Sequence, residues 1–293
     1  MYWQLFHDYP SLWLASAALV SLLVGSFLNV VIDRLPKAMQ KEWQQDCRLL
    51  LSLDEEQEQA TSPAIASIAW PASHCPSCET PLKSWHNIPV ISYVLLKGLC
   101  AFCKGRISPR YPTVELLTAI LGLCVAWVLG PTLHGLLGLV LMYFLVAMSF
   151  IDLDHKLLPD QLTLPLMWLG LIINTFGTIT SLEFAVWGAI AGYMSLWFVY
   201  WGFRLTTGKH GMGYGDFKLL AALGAWLGWE LLPIVVLLSS LVGAAIGIAM
   251  IVFANHEKSK PIPFGPYLAI AGWIALVWGE QINHAYFRYM GLI

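Results

Sequence analysis

The chain has 293 residues, 58% hydrophobic and only 12% charged, with a mean hydropathy of +0.66 and a net charge of −2. Soluble domains carry about 25% charged residues, so this is no ordinary soluble globule, and the balance of charge argues against nucleic acid as a partner. The apolar stretches are continuous rather than alternating, which excludes a transmembrane barrel and leaves an all-α polytopic membrane protein in contact with lipid.

Residues 1–10 contain no Lys or Arg, and Ser11 to Ile32 is an apolar run of spanning length. A cleaved signal would need a basic segment before the run and a small-residue site after it. Here the basic residues follow it, at Arg34 and Lys37, so the run reads as an uncleaved anchor with its N-terminus outside. A polar insertion over residues 33–112 comes next and holds nine of the sixteen Lys and Arg residues. Within it, Lys41–Leu53 reads as a short helix. Asp54–Ala60 is acidic and polar, Thr61–Ser73 is rich in Ser, Ala and Pro, and a solvated linker suits both.

The insertion also carries Cys75-Pro-Ser-Cys78 and Cys100-Ala-Phe-Cys103, with 21 residues between the pairs. A C-x2-C turn places two thiolates on one side of a tight loop, and two such turns make a four-sulfur site that suits Zn²⁺. Disulfides are the alternative, disfavoured in a reducing cytoplasm. With all four positions filled by sulfur, the metal would hold a small fold together and leave no open position for catalysis. Cys47 and Cys124 have no partner pair and read as ordinary apolar residues.

Seven further spans are expected at roughly 113–130, 133–151, 161–179, 182–203, 217–229, 231–254 and 264–281, punctuated by Gly130-Pro131, Pro159, Gly177, Gly208 and Pro261/Pro263. The expected architecture is therefore about eight transmembrane helices, with the first span at 1–32, a small zinc-bound domain at 33–112 and a membrane domain at 113–293. The span at 217–229 is short enough to be tilted or to cross only in part. With the N-terminus outside, fifteen of the sixteen Lys and Arg residues fall in cytoplasmic segments, Arg288 being the exception.

Two acids stand out at the cytoplasmic ends of spans. Asp152 closes an unbroken apolar run, ahead of the more exposed Asp154 and Asp160; a solvated turn is the plain alternative for that loop. Asp216 follows Gly211-Met-Gly213-Tyr-Gly215 and opens another apolar stretch. Aspartate suits a helix N-terminus, which explains the acid but not the glycines. Alternating glycines let backbone bend and another chain approach closely, so the stretch fits a catalytic carboxylate reached by an extended peptide. Two facing carboxylates share a proton, one acting as base on water and the other as acid on a carbonyl. A transporter would also place acids among glycine-broken helices, but near the bilayer midplane rather than at one face.

The chain resembles the bacterial type IV prepilin peptidases, which are leader peptidase/N-methyltransferases and membrane aspartyl proteases of the GxGD type. The resemblance is carried by Gly25-Ser-Phe-Leu-Asn29-Val-Val-Ile-Asp33-Arg34-Leu-Pro36, the two cysteine turns, Asn87-Ile-Pro89, Arg106 to Glu115, Asp152-x-Asp154, Leu158-Pro159-Asp160, Gly213-Tyr-Gly215-Asp216 and Pro263-Phe-Gly265-Pro266. It implies that Asp152 and Asp216 form the catalytic pair. It also implies that substrates are type IV prepilins and type II secretion pseudopilins, cleaved after a glycine at the cytoplasmic face of the bacterial inner membrane. The new N-terminus would then be methylated from S-adenosylmethionine by the cysteine-containing domain. Lys97-Gly98 matches the family stretch tied to methylation and equally reads as a turn entering the zinc loop. Asn29, Asp33, Arg34 and Glu115 would contact substrate or cofactor, or lock the loop to the helices. Gly213, Gly215, Pro263, Gly265 and Pro266 would shape the cleavage site, or the prolines would simply start the last span.

Overall fold

The computed structural model describes residues 2–51, 73–75, 77–209, 211–253 and 263–291. These residues are nearly all helical, and among them the only extended pairings are two isolated bridges, His74 with Pro81 and Leu99 with Arg106. The helices are α1 (Tyr2–Asp8), α2 (Pro10–Leu50), α3 (Ile91–Leu95), α4 (Arg110–Leu129), α5 (Leu133–His155), α6 (Asp160–Asn174), α7 (Leu182–Thr207), α8 (Tyr214–Leu227), α9 (Leu232–Phe253) and α10 (Gly265–Tyr289). The eight expected spans correspond to α2 and α4 through α10. Among the described residues, five stretches are long and apolar enough to cross a membrane by length and composition: α2, α4, α5, α7 and Trp229–Met250, which covers most of α9. The chain is a multi-pass helical membrane protein made of two compact units, Met1–Ala126 and Trp127–Ile293.

In the first unit, α2 runs without a break from the first apolar stretch to Leu50, so Lys41–Leu50 is the end of one long helix rather than a separate one. The residues beyond Ile32 are mostly good helix formers (Lys, Met, Gln, Glu, Leu, Arg), and Pro36 is accommodated inside the helix. The linker expected over residues 54–72 and the turn at Pro261 lie outside the described residues. Helix α2 meets α4 at Gly25, where an added Cβ would stand 2.9 Å from Glu115 Cα. Side chains tie the pair elsewhere: Trp13 Nε1 donates to the Ala126 carbonyl at 2.9 Å, and Asn29 Nδ2 donates to the Tyr111 carbonyl at 3.0 Å.

The second unit is built around its shortest long helix. In α8, Asp216, Phe217 and every residue from Leu219 to Leu227 are buried. A helix buried on all sides belongs in a core, which is why this segment needs no spanning length. Small residues let its neighbour approach: Gly188 of α7 faces Gly224 of α8, and a Cβ on either would stand 2.3 or 2.1 Å from the other's carbonyl oxygen. The Trp226 indole donates to the Leu166 carbonyl at 2.8 Å, and its ring fills the space that a side chain at Gly170 would take. Asn174, buried at the end of α6, donates to the Ala225 carbonyl and accepts from the Ile179 and Thr180 amides. These bonds fix the far end of α8, and with it the position of Asp216 at the near end.

Candidate active site

Asp152 sits in the last turn of α5, only 5% exposed, where the helix ends in a left-handed Lys156 (φ 53°). An acid at a helix C-terminus faces the negative end of the helix dipole, so nothing in its own helix favours it there. Its support comes from across the unit. The backbone N–H of Gly265, the first residue of α10, donates to Asp152 Oδ2 at 2.9 Å. A helix N-terminus carries unpaired N–H groups and suits an anion.

Asp216 is 7% exposed and occupies the first turn of α8. It is not the N-cap considered from sequence. That position belongs to Gly213, whose backbone bonds to the Asp216 carboxylate. Asp152 is close enough for its charge to act on Asp216. Two buried acids from distant segments, one at a helix C-terminus and one at a helix N-terminus, are thus brought together.

The surrounding residues explain themselves by packing. A Cβ on Gly265 would lie 2.7 Å from Asp152 Oδ2, and one on Gly215 would lie 2.7 Å from Leu158 Cβ. Gly211 is occupied in the same way by the Phe203 ring. Gly213 differs: its φ of −82° is ordinary, and an added Cβ would have Asp216 Oδ2, at 3.8 Å, as its nearest neighbour among the described residues, so no described side chain fills the space beside the acid. Pro266 is buried in the first turn of α10, and Pro263 is half-buried just before it. Asp154 and Asp160 are exposed. Asp160 accepts both of its bonds from Lys218 Nζ, at 2.6 and 2.7 Å, joining the start of α6 to the first turn of α8. Sequence reasoning missed both this pair and the Gly265–Asp152 bond. For the latter a signal exists: Phe-Gly-Pro ahead of an apolar run marks a helix start with free N–H groups.

In the first unit the four cysteine sulfurs lie within 4.8 Å of one another. The Cys75 and Cys103 sulfurs are 3.9 Å apart, close to the edge of about 3.8 Å for a tetrahedron built on Zn–S bonds of about 2.3 Å. The two turns are near copies. Glu79 N–H donates to the Cys75 carbonyl and Lys104 N–H to the Cys100 carbonyl, at 2.9 and 3.1 Å, and both Glu79 and Lys104 have positive φ. The amides of Ser77 and Gly105 point at the Cys75 and Cys103 sulfurs, each at 3.4 Å.

The thiols differ in acidity. The Thr80 hydroxyl and backbone hold Cys78 down to about 6. At Cys103 the Gly105 amide favours the thiolate, but burial and the three neighbouring sulfurs push it up to about 11. Crowded sulfurs cannot all carry charge unaided, and a divalent cation removes that conflict. By donor set and spacing the cluster could hold a metal ion. Cys47 is exposed and Cys124 half-buried, both outside it.

Lys97 (φ 52°) and Gly98 (φ 70°) form the turn before the second cysteine pair. Gly98 N–H donates to the Tyr93 carbonyl at 2.9 Å, and a Cβ there would stand 3.0 Å from the Tyr93 hydroxyl. Asn29, Asp33, Arg34 and Glu115 all line a cavity of the first unit.

The chain belongs to the type IV leader peptidase family. Residues 139–248 match the profile of that family, and residues 19–129 match the bacterial peptidase A24 N-terminal domain. The chain is 54% identical over 284 residues to the prepilin leader peptidase/N-methyltransferase of Pseudomonas aeruginosa, covering 97% of each. It is 55% identical over 283 residues to the protein of that name from Aeromonas hydrophila, again covering 97% of each. The Legionella pneumophila protein of the same name is 43% identical over 282 residues, 96% of this chain and 97% of that one. No solved structure gave a match. The family read from the motifs is therefore the chain's own, and the chain is an enzyme of a peptidase family.

Proposed function

We propose that the chain removes the leader peptide from type IV prepilins and type II secretion pseudopilins at the cytoplasmic face of the bacterial inner membrane, and then methylates the new N-terminal amine. The observation that supports the peptidase half is the meeting of two buried carboxylates, Asp152 and Asp216, at the ends of α5 and α8. The positive-inside distribution of Lys and Arg supports the cytoplasmic assignment.

The residues divide the work as follows. Asp152 and Asp216 share one proton, because two close buried carboxylates resist double ionisation. The ionised member takes a proton from a water, and the protonated member donates to the scissile carbonyl oxygen. The water oxygen bonds to the carbonyl carbon, the C–N bond breaks with its electron pair passing to nitrogen, and a proton completes the leaving amine. The Gly265 N–H holds one Asp152 oxygen at 2.9 Å, which fixes the orientation of the other. The side of Gly213 next to Asp216, which no described side chain fills, is where an extended peptide can pass. Gly215, Pro263 and Pro266 shape the same site from behind.

Cys75, Cys78, Cys100 and Cys103 would hold one Zn²⁺, which cross-links the first unit's loops. S-adenosylmethionine, when bound, would supply an electrophilic methyl group to the new N-terminal amine, which would give up a proton to solvent. Lys97 and Gly98 contribute through their turn, which seats Tyr93. The deciding experiment is incubation of the purified enzyme with a prepilin peptide and S-adenosylmethionine, followed by mass analysis. Loss of the leader with gain of one methyl group is expected; an intact peptide would overturn the reading.

A further inference from the structure

The first unit contains a cavity of about 450 Å³ between the lower half of α2, the cysteine turns and the start of α4. That lies within the range of small-molecule sites, about 300–1,000 Å³. Its wall carries a buried carboxylate without a cation. Glu115 is only 7% exposed and accepts from the Val90 amide at 2.8 Å and from Ser26, with no basic side chain paired to it among the described residues. The Val90 amide is presented by a backbone of positive φ (58°), so the turn before α3 is bent toward this acid. A carboxylate removed from water with only neutral donors around it favours a cationic ligand.

The same wall provides what the rest of such a ligand needs. His86, part of the lining, has a buried Nδ1 with no hydrogen-bond partner among the described residues. Tyr93 and Tyr111 supply aromatic surface, and Arg34 supplies a cation suited to a carboxylate. Gly98 packs on the Tyr93 ring, which ties the Lys97-Gly98 turn to this wall without making it part of the lining.

We propose that this cavity is the site of the methyl donor, an adenosyl sulfonium amino acid, with Glu115 facing its cationic end and the aromatic wall its purine. The assignment rests on the methyl-transfer half of the function proposed above. It fits a ligand that combines a sulfonium, an ammonium, a carboxylate and a flat heterocycle, because the wall combines a lone buried carboxylate, an arginine and aromatic rings.

The test is equilibrium binding to the full-length enzyme in detergent, by calorimetry, with S-adenosylmethionine and with S-adenosylhomocysteine, which lacks the methyl group and the positive sulfur. The wild type is expected to prefer the sulfonium. Glu115→Gln should weaken S-adenosylmethionine at least about ten-fold while moving S-adenosylhomocysteine less, so that the preference narrows. His86→Ala should weaken both, and it decides the matter if Glu115→Gln fails to fold, as judged by zinc content and melting. Wild-type affinity for both ligands in the folded variants would overturn the cavity assignment while leaving the methyltransferase reading intact. A wild type that binds neither ligand would overturn both.

Discussion

The Gly265 amide donates to Asp152 Oδ2 at 2.9 Å, joining the first residue of α10 to the last turn of α5 across 113 positions of sequence. No side chain fits between them. In Gly265→Ala the added methyl would stand 2.7 Å from that oxygen and 3.2 Å from Leu158 Cδ1, so the carboxylate has to turn away. A shift of about 1 Å in a catalytic group costs on the order of 10²-fold. Leader cleavage by this variant should fall by about that factor with the melting temperature nearly unchanged. Full activity in the alanine variant would show that the bond does not position Asp152.

Asp152→Asn and Asp216→Asn should each lower cleavage by about 10²–10⁴-fold, and the double variant should lose little more, because the pair acts as a unit. Single-turnover assays on a prepilin peptide would measure this. Asp154→Asn, at an exposed position one turn-edge away, should retain near wild-type rate. Equal losses at all three positions would point to a general charge effect instead of a dyad.

The Lys218–Asp160 pair is bidentate but half open to solvent, with side chains 29% and 52% exposed. Exposed ion pairs contribute about 0.2–1 kcal/mol, so Lys218→Met should cost no more than that in stability. Because the pair ties the Asp216 helix to the loop after Asp152, its effect on cleavage should exceed its effect on melting. Exchanging the charges, with Lys218→Asp and Asp160→Lys together, should restore part of the loss of either single change.

Metal analysis of the purified protein should find one zinc per chain, and any single Cys→Ser among Cys75, Cys78, Cys100 and Cys103 should abolish it. Protease cutting should then rise between residues 77 and 107. Methylation of an already cleaved pilin peptide should fall more than cleavage of the precursor does. A zinc-free wild-type protein with intact methylation would rule out the structural metal.

The eight long helices were legible because hydropathy is a local property, and the placement of Asp152 and Asp216 at helix ends was legible because an acid at the edge of an apolar run is conspicuous. The cysteine cluster was legible from spacing alone. What escaped depends on partners far away in sequence. The Gly-x-Gly-x-Gly run reads as room for a substrate, yet Gly211 and Gly215 are filled by Phe203 and Leu158 of the chain itself, and among the described residues no side chain fills the space at Gly213 beside Asp216. The continuation of α2 to Leu50 was hidden because polar composition beyond Ile32 hides a helix that leaves the apolar stretch without a break. The Gly265 amide carries no compositional mark, since its role is a backbone proton aimed at an acid on another helix.

The contact of Gly188 with Gly224 sets a datum for the chemistry. From Gly224 to Asp216 is eight residues of helix, or about 12 Å at 1.5 Å each. Bare backbone meets bare backbone there, so α8 has no slack to slide along α7, and the Trp226 and Asn174 bonds stop it from turning. Gly224→Ala, whose methyl would meet the Gly188 oxygen at 2.1 Å, should destabilise by about 1–3 kcal/mol or displace the helix, with cleavage lost in either case. Asp216 therefore stands at a depth gauged from the opposite end of its helix. In the proposed mechanism a substrate presents its bond to a stationary acid, and the accuracy of the cut is a length measured out in helical turns.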